Sequence, residues 1–147
     1  MKKTIKLLSA ALVLCVLTTG CAVNRATANV DPSANLDKMR TLQVKKLEGE
    51  DGSVRKLIAD DLRGRGYSVT TDEPPPQKVD GVVTYVDKWM WDITMYLLEL
   101  TITIRDPQSD FPLATGNSLH TSLTRLSPPD MVKEVLDNIY KESEKKQ

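Results

Sequence analysis

The chain has 147 residues, with 20 basic and 20 acidic side chains, one histidine and two cysteines. This length suits one domain with a true hydrophobic core, and the balanced charge disfavours nucleic-acid binding, which requires a basic face. A lone histidine without cysteine or histidine partners at ligand spacing disfavours a metal centre, and no residue pattern indicates a cofactor.

The first 20 residues have the three-part layout of a secretory signal peptide. Lys2, Lys3 and Lys6 give a positive start, residues 7–17 are almost all apolar, and small residues follow. The apolar run is too short for a transmembrane helix, which needs about 20 apolar residues. We therefore expect residues 1–20 to be removed. Three of the 20 basic residues lie there, so 17 remain against 20 acidic ones, a formal charge of −3.

The sequence Leu17–Cys21 (LTTGC) follows the apolar run and resembles the lipobox of bacterial lipoproteins, in which small residues precede an obligatory cysteine. In that family the cysteine is acylated and becomes the first residue of the mature protein. The resemblance implies that Cys21 carries two or three acyl chains such as palmitate, which hold a protein stably on a membrane. The sorting rule of the family, with Ala22 rather than aspartate after the cysteine, implies the outer membrane and its periplasmic face.

The chain between the cysteine and the domain is small, polar and aperiodic. We therefore expect residues 21–36, the lipidated cysteine included, to form a flexible tether that holds the domain clear of the lipid headgroups. Residues 37–142 are assigned to a single domain, and the charged residues 143–147 to a frayed tail.

Hydrophobic periodicity predicts the elements in the first half of the domain. Moderate alternation indicates a strand over residues 38–47. Apolar residues at helical spacing predict a helix over Ser53–Arg63, and a short strand over Tyr67–Thr71 follows. The three prolines within residues 72–77 predict a stiff, extended connection.

The sequence of the second half of the domain predicts a hairpin, a further strand and a helix. A β-rich run starts at Val79 and continues to Trp91, and the reversal is expected at Asp92–Thr94. Strict alternation predicts a strand from Tyr96 to Arg105. Ser127, followed by two prolines, predicts the cap of a helix that buries one apolar stripe.

Residues 113–123 predict another strand, in which the leucines face the core. Gly116, Ser118, His120 and Ser122 are then expected on the solvated face. Gly116 indicates either a bulge or a close approach of two backbones.

The predicted order of elements is β-α-β-β-β-β-α. Two helices are needed to cover the apolar face of the long strands, and alternation leaves the other face wet. The fold class is therefore predicted as α+β, a two-layer sandwich of a mostly antiparallel sheet with both helices on one face.

Tyr85, Trp89, Trp91 and Tyr96 form an aromatic cluster in the predicted hairpin. Tyr85, Trp89 and Trp91 have the same parity and are expected on one face of one strand. Two interpretations stay open. In one, some of these rings close the core under a helix. In the other, Trp89 or Trp91 stays exposed and forms a contact surface for a partner, with Tyr85 and Tyr96 as further candidates, since Trp and Tyr concentrate at binding hot spots. Both interpretations hold if one tryptophan is buried and the other exposed.

The remaining candidates for chemistry receive structural interpretations. His120 lies on a strand without the Gly-x-Ser-x-Gly turn that exposes a nucleophile, so we expect a surface histidine and not a catalytic base. Asp80, Asp87 and Asp92 lie in the central strands, where turn-shaping or solvated roles are expected.

The segment Val79–Asp92, together with the later Ala114-x-Gly116, resembles small proteobacterial lipoproteins of uncharacterised function. The resemblance implies an accessory role in the cell envelope and transfers no catalytic residue. We therefore expect a lipid-anchored, non-enzymatic protein that binds another envelope protein or supports an assembly, without metal or cofactor. Two alternatives are a carrier of a small apolar ligand, a lipid or glycan held between sheet and helices, and a hydrolase that uses His120.

Overall fold

The structure, a computed structural model, describes residues 23–146 of the chain. The predictions for the signal peptide and for Cys21 fall outside these residues. The described part contains six strands and two α-helices, with short 3₁₀ helices at Leu36–Lys38 and Ser122–Thr124. The bounds are β1 Asn24–Val30, β2 Thr41–Val44, α1 Ser53–Gly64, β3 Ser68–Thr70, β4 Gly81–Asp92, β5 Thr94–Arg105, β6 Pro112–His120 and α2 Pro128–Lys145.

The strands form one mixed sheet in the order β1-β6-β5-β4-β2-β3. Neighbours pair antiparallel from β1 to β4, whereas β2 pairs parallel with both β4 and β3. The helices contact each other: Nη2 of Arg65, directly after α1, lies 2.6 Å from Oδ1 of Asp137 in α2. The predicted α+β sandwich is confirmed, and the described chain has one strand more than the predicted order.

Fully buried side chains fill the space between the sheet and the helices. Those without exposed surface include Ile58, Leu62, Leu97, Leu100, Ile102, Leu136 and Ile139. The opposite face of the sheet carries polar side chains, where Nδ2 of Asn117 donates to Oε1 of Glu99 and to Oγ1 of Thr101, both at 2.9 Å. One face of the sheet thus supplies the core, and the other is polar.

The predicted tether is wrong from residue 24 onward. Residues Asn24–Val30 form β1, which pairs with β6 without interruption from Asn24 opposite His120 to Val30 opposite Ala114. Val30 and Leu36 are buried, so the domain does not begin at residue 37. Periodicity missed β1 because most of its side chains are exposed, and its pairing depends on backbone hydrogen bonds.

The predicted faces of β6 are also inverted. Ala114, Gly116, Ser118 and His120 are the buried residues of this strand. A Cβ atom on Gly116 would lie 2.8 Å from Cγ1 of Val135 and 3.0 Å from its carbonyl oxygen. The close backbone approach is therefore confirmed, because α2 lies directly on a strip of small residues.

Two predicted boundaries change for local reasons. β2 covers only four of the residues predicted for it, and β6 ends at His120 because a 3₁₀ helix follows. The tail is not frayed from residue 143: α2 continues to Lys145, Ser143 is buried, and Nζ of Lys146 donates to the carbonyl oxygen of Val30. The cap at Ser127 is confirmed, since its Oγ accepts from the backbone N–H of Asp130 at 3.3 Å.

Candidate contact surface at the hairpin tip

The β4–β5 hairpin extends beyond the rest of the sheet. Both strands have 12 residues, but β6 pairs with β5 only from Glu99 onward. His120, the last residue of β6, is level with Leu98, so residues 94–97 run past the end of β6, a length of about 14 Å at 3.4 Å per residue. The pairing register shifts between Lys88 and Trp89, at the base of this two-stranded ribbon.

The apex of the ribbon has an unfavourable backbone conformation for its residue. Ile93 has a φ of 62°, in the left-handed region that a β-branched residue rarely adopts. Its side chain is 86% exposed. Glycine would adopt this conformation without steric cost, whereas isoleucine raises the free energy of the fold by about 1–3 kcal/mol. Ile93, the apolar residue at the apex of the ribbon, therefore lowers the free energy of unfolding.

Several large apolar side chains on the ribbon are exposed, and we call them the apolar tip: Trp89, Met90, Trp91, Ile93 and Met95. Trp91 pairs directly with Met95 across the two strands. The ring of Trp89 is fixed by its Nε1–H, which donates to Oδ2 of Asp87 at 2.8 Å. Gathered, exposed apolar side chains mark surfaces that contact another protein or a lipid.

Two of the four aromatic residues predicted for this surface are buried, so their assignment to it is wrong. The hydroxyl of Tyr85 donates to Oε2 of Glu50 at 2.8 Å. Burial, together with this hydrogen bond, raises the pKa of Tyr85 well above its usual range. Tyr96 lies under the guanidinium of Arg125, 4.6 Å from the ring centroid. Trp89 and Trp91 are both exposed, at 42% and 69%, so the interpretation with one tryptophan buried is wrong as well.

The segment after β6 braces the hairpin reversal. Nη1 of Arg125 donates to Oγ1 of Thr94 at 2.9 Å, and its Nη2 donates to Oγ of Ser122 at 3.1 Å. The hydroxyl of Ser122 in turn donates to Oδ2 of Asp92. The apex of the ribbon is thus held to the segment after β6 by polar bonds on both sides of Ile93.

The same segment holds the first described residue. The backbone N–H of Val23 donates to Oγ1 of Thr121 at 3.0 Å, and the carbonyl oxygen of Val23 accepts from Oγ1 of Thr124 at 2.9 Å. Because β1 and β5 both run antiparallel to β6, the start of β1, the end of β6 and the apolar tip share one end of the sheet. We call it the tip end. The prediction of a flexible tether over residues 21–36 did not place Val23 at this end of the sheet.

His120 is not a surface residue, as predicted, but is 1% exposed. Its Nδ1 lies 2.8 Å from the carbonyl oxygen of Thr124 and its Nε2 lies 2.8 Å from Oε2 of Glu134. Because a carbonyl oxygen only accepts, Nδ1 carries a proton. The hydroxyl of Ser118 donates to the carboxylate of Glu134 and not to the ring, so the geometry differs from a nucleophile–histidine pair. The ring joins β6, the 3₁₀ helix and α2.

The three aspartates predicted in the central strands take part in local structure, and Asp80 directly precedes β4. Oδ2 of Asp80 accepts from the backbone N–H groups of Arg40 and Thr41 at 2.8 and 2.9 Å, and these bonds hold the pKa of Asp80 below its usual value. Asp87 and Asp92 accept from Trp89 and Ser122, as described above. Within residues 23–146, no group of three or more His, Cys, Asp or Glu side chains is arranged to hold a metal ion.

A cleft of about 560 Å³ lies beside the base of the apolar tip. Trp89 and Met95 form its apolar wall, and Glu48, Asp51 and Asp87 also line it. Sites for apolar ligands enclose most of the ligand, whereas this cleft opens to solvent and has several carboxylates in its otherwise apolar lining. The space between sheet and helices, where the predicted carrier would hold its ligand, is occupied by the buried side chains of the core.

No family model matches the sequence, and no curated protein matches it. The fold is similar to that of PelC from Paraburkholderia phytofirmans, solved as a dodecamer in two structures with TM-scores of 0.55 and 0.56 and identities of 16% and 13%. Each covers 80% of this chain and 97% of the PelC chain. A minor lipoprotein from Acinetobacter baumannii aligns over 73% of this chain and 87% of its own, with a TM-score of 0.31 and 13% identity.

These similarities show a fold shared with PelC and nothing further. The score of the minor lipoprotein is too low to support a relationship. In the part of the chain that the structure describes, neither helix combines the length and apolar character required to cross a bilayer.

Proposed function

We propose that this chain is a lipid-anchored, non-enzymatic accessory protein of the bacterial cell envelope, which binds another protein through the open edge of β1. The anchor is Cys21, on the basis of the lipobox resemblance of Leu17–Cys21. The residue after it favours the outer membrane, with the domain on the periplasmic side. The buried ring of His120, with both nitrogens bonded, supports a role other than hydrolysis.

The feature that carries the proposal of protein binding is strand β1, the outer strand of the sheet. In an antiparallel pair, alternate residues direct their N–H and C=O groups away from the partner strand. The backbone N–H of Thr121 donates to the carbonyl oxygen of Val23, and the backbone N–H of Asp31 donates to the carbonyl oxygen of Leu113. Odd-numbered residues therefore bond to β6, and Ala26 and Ala28 direct their backbone groups outward.

From Asn24 to Ala28 this edge lacks the usual protection against pairing, whereas Lys146 covers the outward carbonyl oxygen of Val30 at its end. Natural edge strands carry lysine, proline, a bulge or inward charges that prevent another strand from adding. β1 has the sequence NRATANV, with Arg25 as its only charged residue, and its register with β6 is continuous. A strand of this kind is suited to receive a strand from another polypeptide. The dodecamers of PelC add support, because they have a similar fold in an assembly of many copies.

The test blocks the edge without disturbing β6. Ala26→Pro removes one outward N–H, which β6 does not use, and proline is tolerated in edge strands. Ala26→Thr is the matched control, because threonine keeps the N–H and suits a strand. We expect crosslinking of the full chain in intact cells to yield higher-mass species for the native chain and Ala26→Thr, but not for Ala26→Pro. Unchanged crosslinking of Ala26→Pro would contradict edge binding.

The anchor is tested separately by labelling growing cells with palmitate. We expect the native chain to incorporate the label and to remain with the outer membrane. Cys21→Ser should lose the label and fail to be retained there. A Cys21→Ser chain that matures and localises like the native one would refute the proposed anchor.

A further inference from the structure

We infer that the apolar tip inserts into the interfacial region of the bilayer to which Cys21 is anchored, so that the domain has a fixed membrane-facing end. This inference rests on the proposed lipid anchor. A protein partner at the same surface is the competing occupant, and the experiment below separates the two.

Chain length is the first argument. Cys21 precedes Val23 by two residues, so its Cα atom lies at most about 7 Å away. Val23 is fixed to Thr121 and Thr124 at the end of β6. Measured along the strands, Val23 is level with Leu97, and the ribbon continues from there for four residues, about 14 Å, to Ile93. The apex at Ile93 therefore lies about 7 Å further out than the reach of the chain from Val23 to the lipidated residue, and an anchor seated in a bilayer brings the apolar tip into it.

The distribution of exposed apolar side chains is the second argument. Nine large apolar residues are exposed in the described chain. Only Val86, in the middle of β4, and Phe111, at the other end of the sheet, lie away from the tip end. The other seven are Val23, Trp89, Met90, Trp91, Ile93, Met95 and Leu123. Tryptophan is enriched at membrane–water interfaces, where its ring contacts both acyl chains and headgroups.

The charge of the ribbon is the third argument. Among residues 89–97, Asp92 is the only charged one, and its carboxylate accepts a hydrogen bond from the hydroxyl of Ser122. Insertion therefore removes few charges from water. The mature chain has a formal charge of −3 and acidic residues line the neighbouring cleft, so attraction to anionic headgroups does not drive the contact. We expect insertion to depend on apolar area and to change little with salt.

The chain contains two tryptophans, Trp89 and Trp91, which makes their fluorescence a direct probe. The full lipidated protein is reconstituted into vesicles of phosphatidylethanolamine and phosphatidylglycerol with brominated acyl chains, which quench nearby tryptophan. Trp89→Phe leaves Trp91 as the only emitter. The matched control combines Trp89→Phe, Trp91→Phe and Phe111→Trp, and so places the emitter at the other end of the sheet.

We expect Trp91 to shift its emission to the blue and to lose most of its intensity, at both low and high salt. The emitter at position 111 should keep its emission. Equal quenching at the two positions, or quenching of Trp91 that disappears at high salt, would overturn the inference. A third result would also overturn it: Trp91 is not quenched by the brominated lipids, but in native membranes it is protected from a water-soluble quencher. That result would indicate that a protein partner covers the apolar tip.

The palmitate label is measured on the same samples. Protein without the label refutes the proposed anchor, whereas labelled protein with an unquenched Trp91 refutes insertion alone. Crosslinking of Ala26→Pro tests the edge independently of both results.

Discussion

The β4–β5 turn and the β5–β6 turn lie at opposite ends of the sheet, and both contain a residue with a positive φ, 62° at Ile93 and 59° at Asp110. Aspartate tolerates this conformation better than most residues. Beside it, Oδ1 of Asp106 accepts from the backbone N–H groups of Gln108 at 3.0 Å and Ser109 at 2.8 Å. The β4–β5 turn has Ile93, a β-branched residue that is 86% exposed, in the same backbone conformation.

The β5–β6 turn is built for folding, whereas the proposed membrane contact would account for the residue chosen in the β4–β5 turn. The β5–β6 turn uses aspartate and serine as turn chemistry requires. The β4–β5 turn departs from these rules at its most exposed residue, and such departures concentrate at functional sites. Four measurements test this comparison, in order of decreasing effect on stability.

The largest effect is expected at the base of the apolar tip. Leu97 is fully buried and pairs with the exposed Trp89. Leu97→Ala should lower the free energy of unfolding by about 2–5 kcal/mol, because it removes buried surface and leaves a cavity. Chemical denaturation of the purified protein measures this. A loss below about 1 kcal/mol would mean that the base of the ribbon is not part of the core.

The two turns should respond in opposite directions to an exchange of residue type. Asp110→Ile places a β-branched residue at positive φ and should destabilise the fold by about 1–2 kcal/mol. Ile93→Asn relieves the same strain and should stabilise it by about 1 kcal/mol, while weakening insertion into vesicles. Thermal unfolding of both variants provides the measurement. A destabilised Ile93→Asn would show that Ile93 contributes to packing within the domain.

Acid should affect the polar turn through Asp106. The N–H and hydroxyl of Ser109, with the N–H of Gln108, lower the pKa of Asp106. A carboxylate with a lowered folded-state pKa contributes stability above its unfolded pKa of about 3.9, and this contribution is lost as the pH falls through the folded value. Asp106→Asn should therefore reduce stability at pH 7, and the difference should shrink on acidification. A difference independent of pH would contradict this origin.

The smallest effect on stability is expected at the apolar tip itself. Trp91→Ala should change the free energy of unfolding by no more than about 0.5 kcal/mol, because the ring is 69% exposed. In the lipidated protein, the same variant should show weaker quenching of its remaining Trp89 by brominated acyl chains than the native chain does. A strongly destabilised Trp91→Ala would assign the ring to the fold.

Sequence periodicity predicted the elements whose side chains alternate between core and solvent. The stripe of α2, the alternation of β5 and the reversal at Asp92–Thr94 were of this kind. It failed at β1, where most side chains are exposed and only the backbone pairs. It also failed for the faces of β6, because side-chain size and not polarity decides which residues fit under α2. Small residues at Ala114, Gly116 and Ser118 were the available signal.

At the candidate contact surface, sequence identified the two exposed tryptophans together with two tyrosines that are buried. Tyr85 bonds to Glu50, 35 residues earlier, and Tyr96 lies under Arg125, 29 residues later. Partners so distant in sequence leave no local pattern. The position of Val23 beside the hairpin reversal was hidden for the same reason, since it depends on the register of β1 against β6.

The attachment of β1 has a mechanical consequence. If the proposed lipid on Cys21 is pulled away from the domain, the force enters at Val23 and acts along the axis of β1. The hydrogen bonds to β6 run across that axis, and the seven paired positions from Asn24 to Val30 are then sheared together. A ladder loaded in shear distributes the force over all its bonds, whereas a peeled strand loses them one at a time. With the proposed lipid on Cys21, the connection between anchor and domain would therefore resist a pulling force along β1.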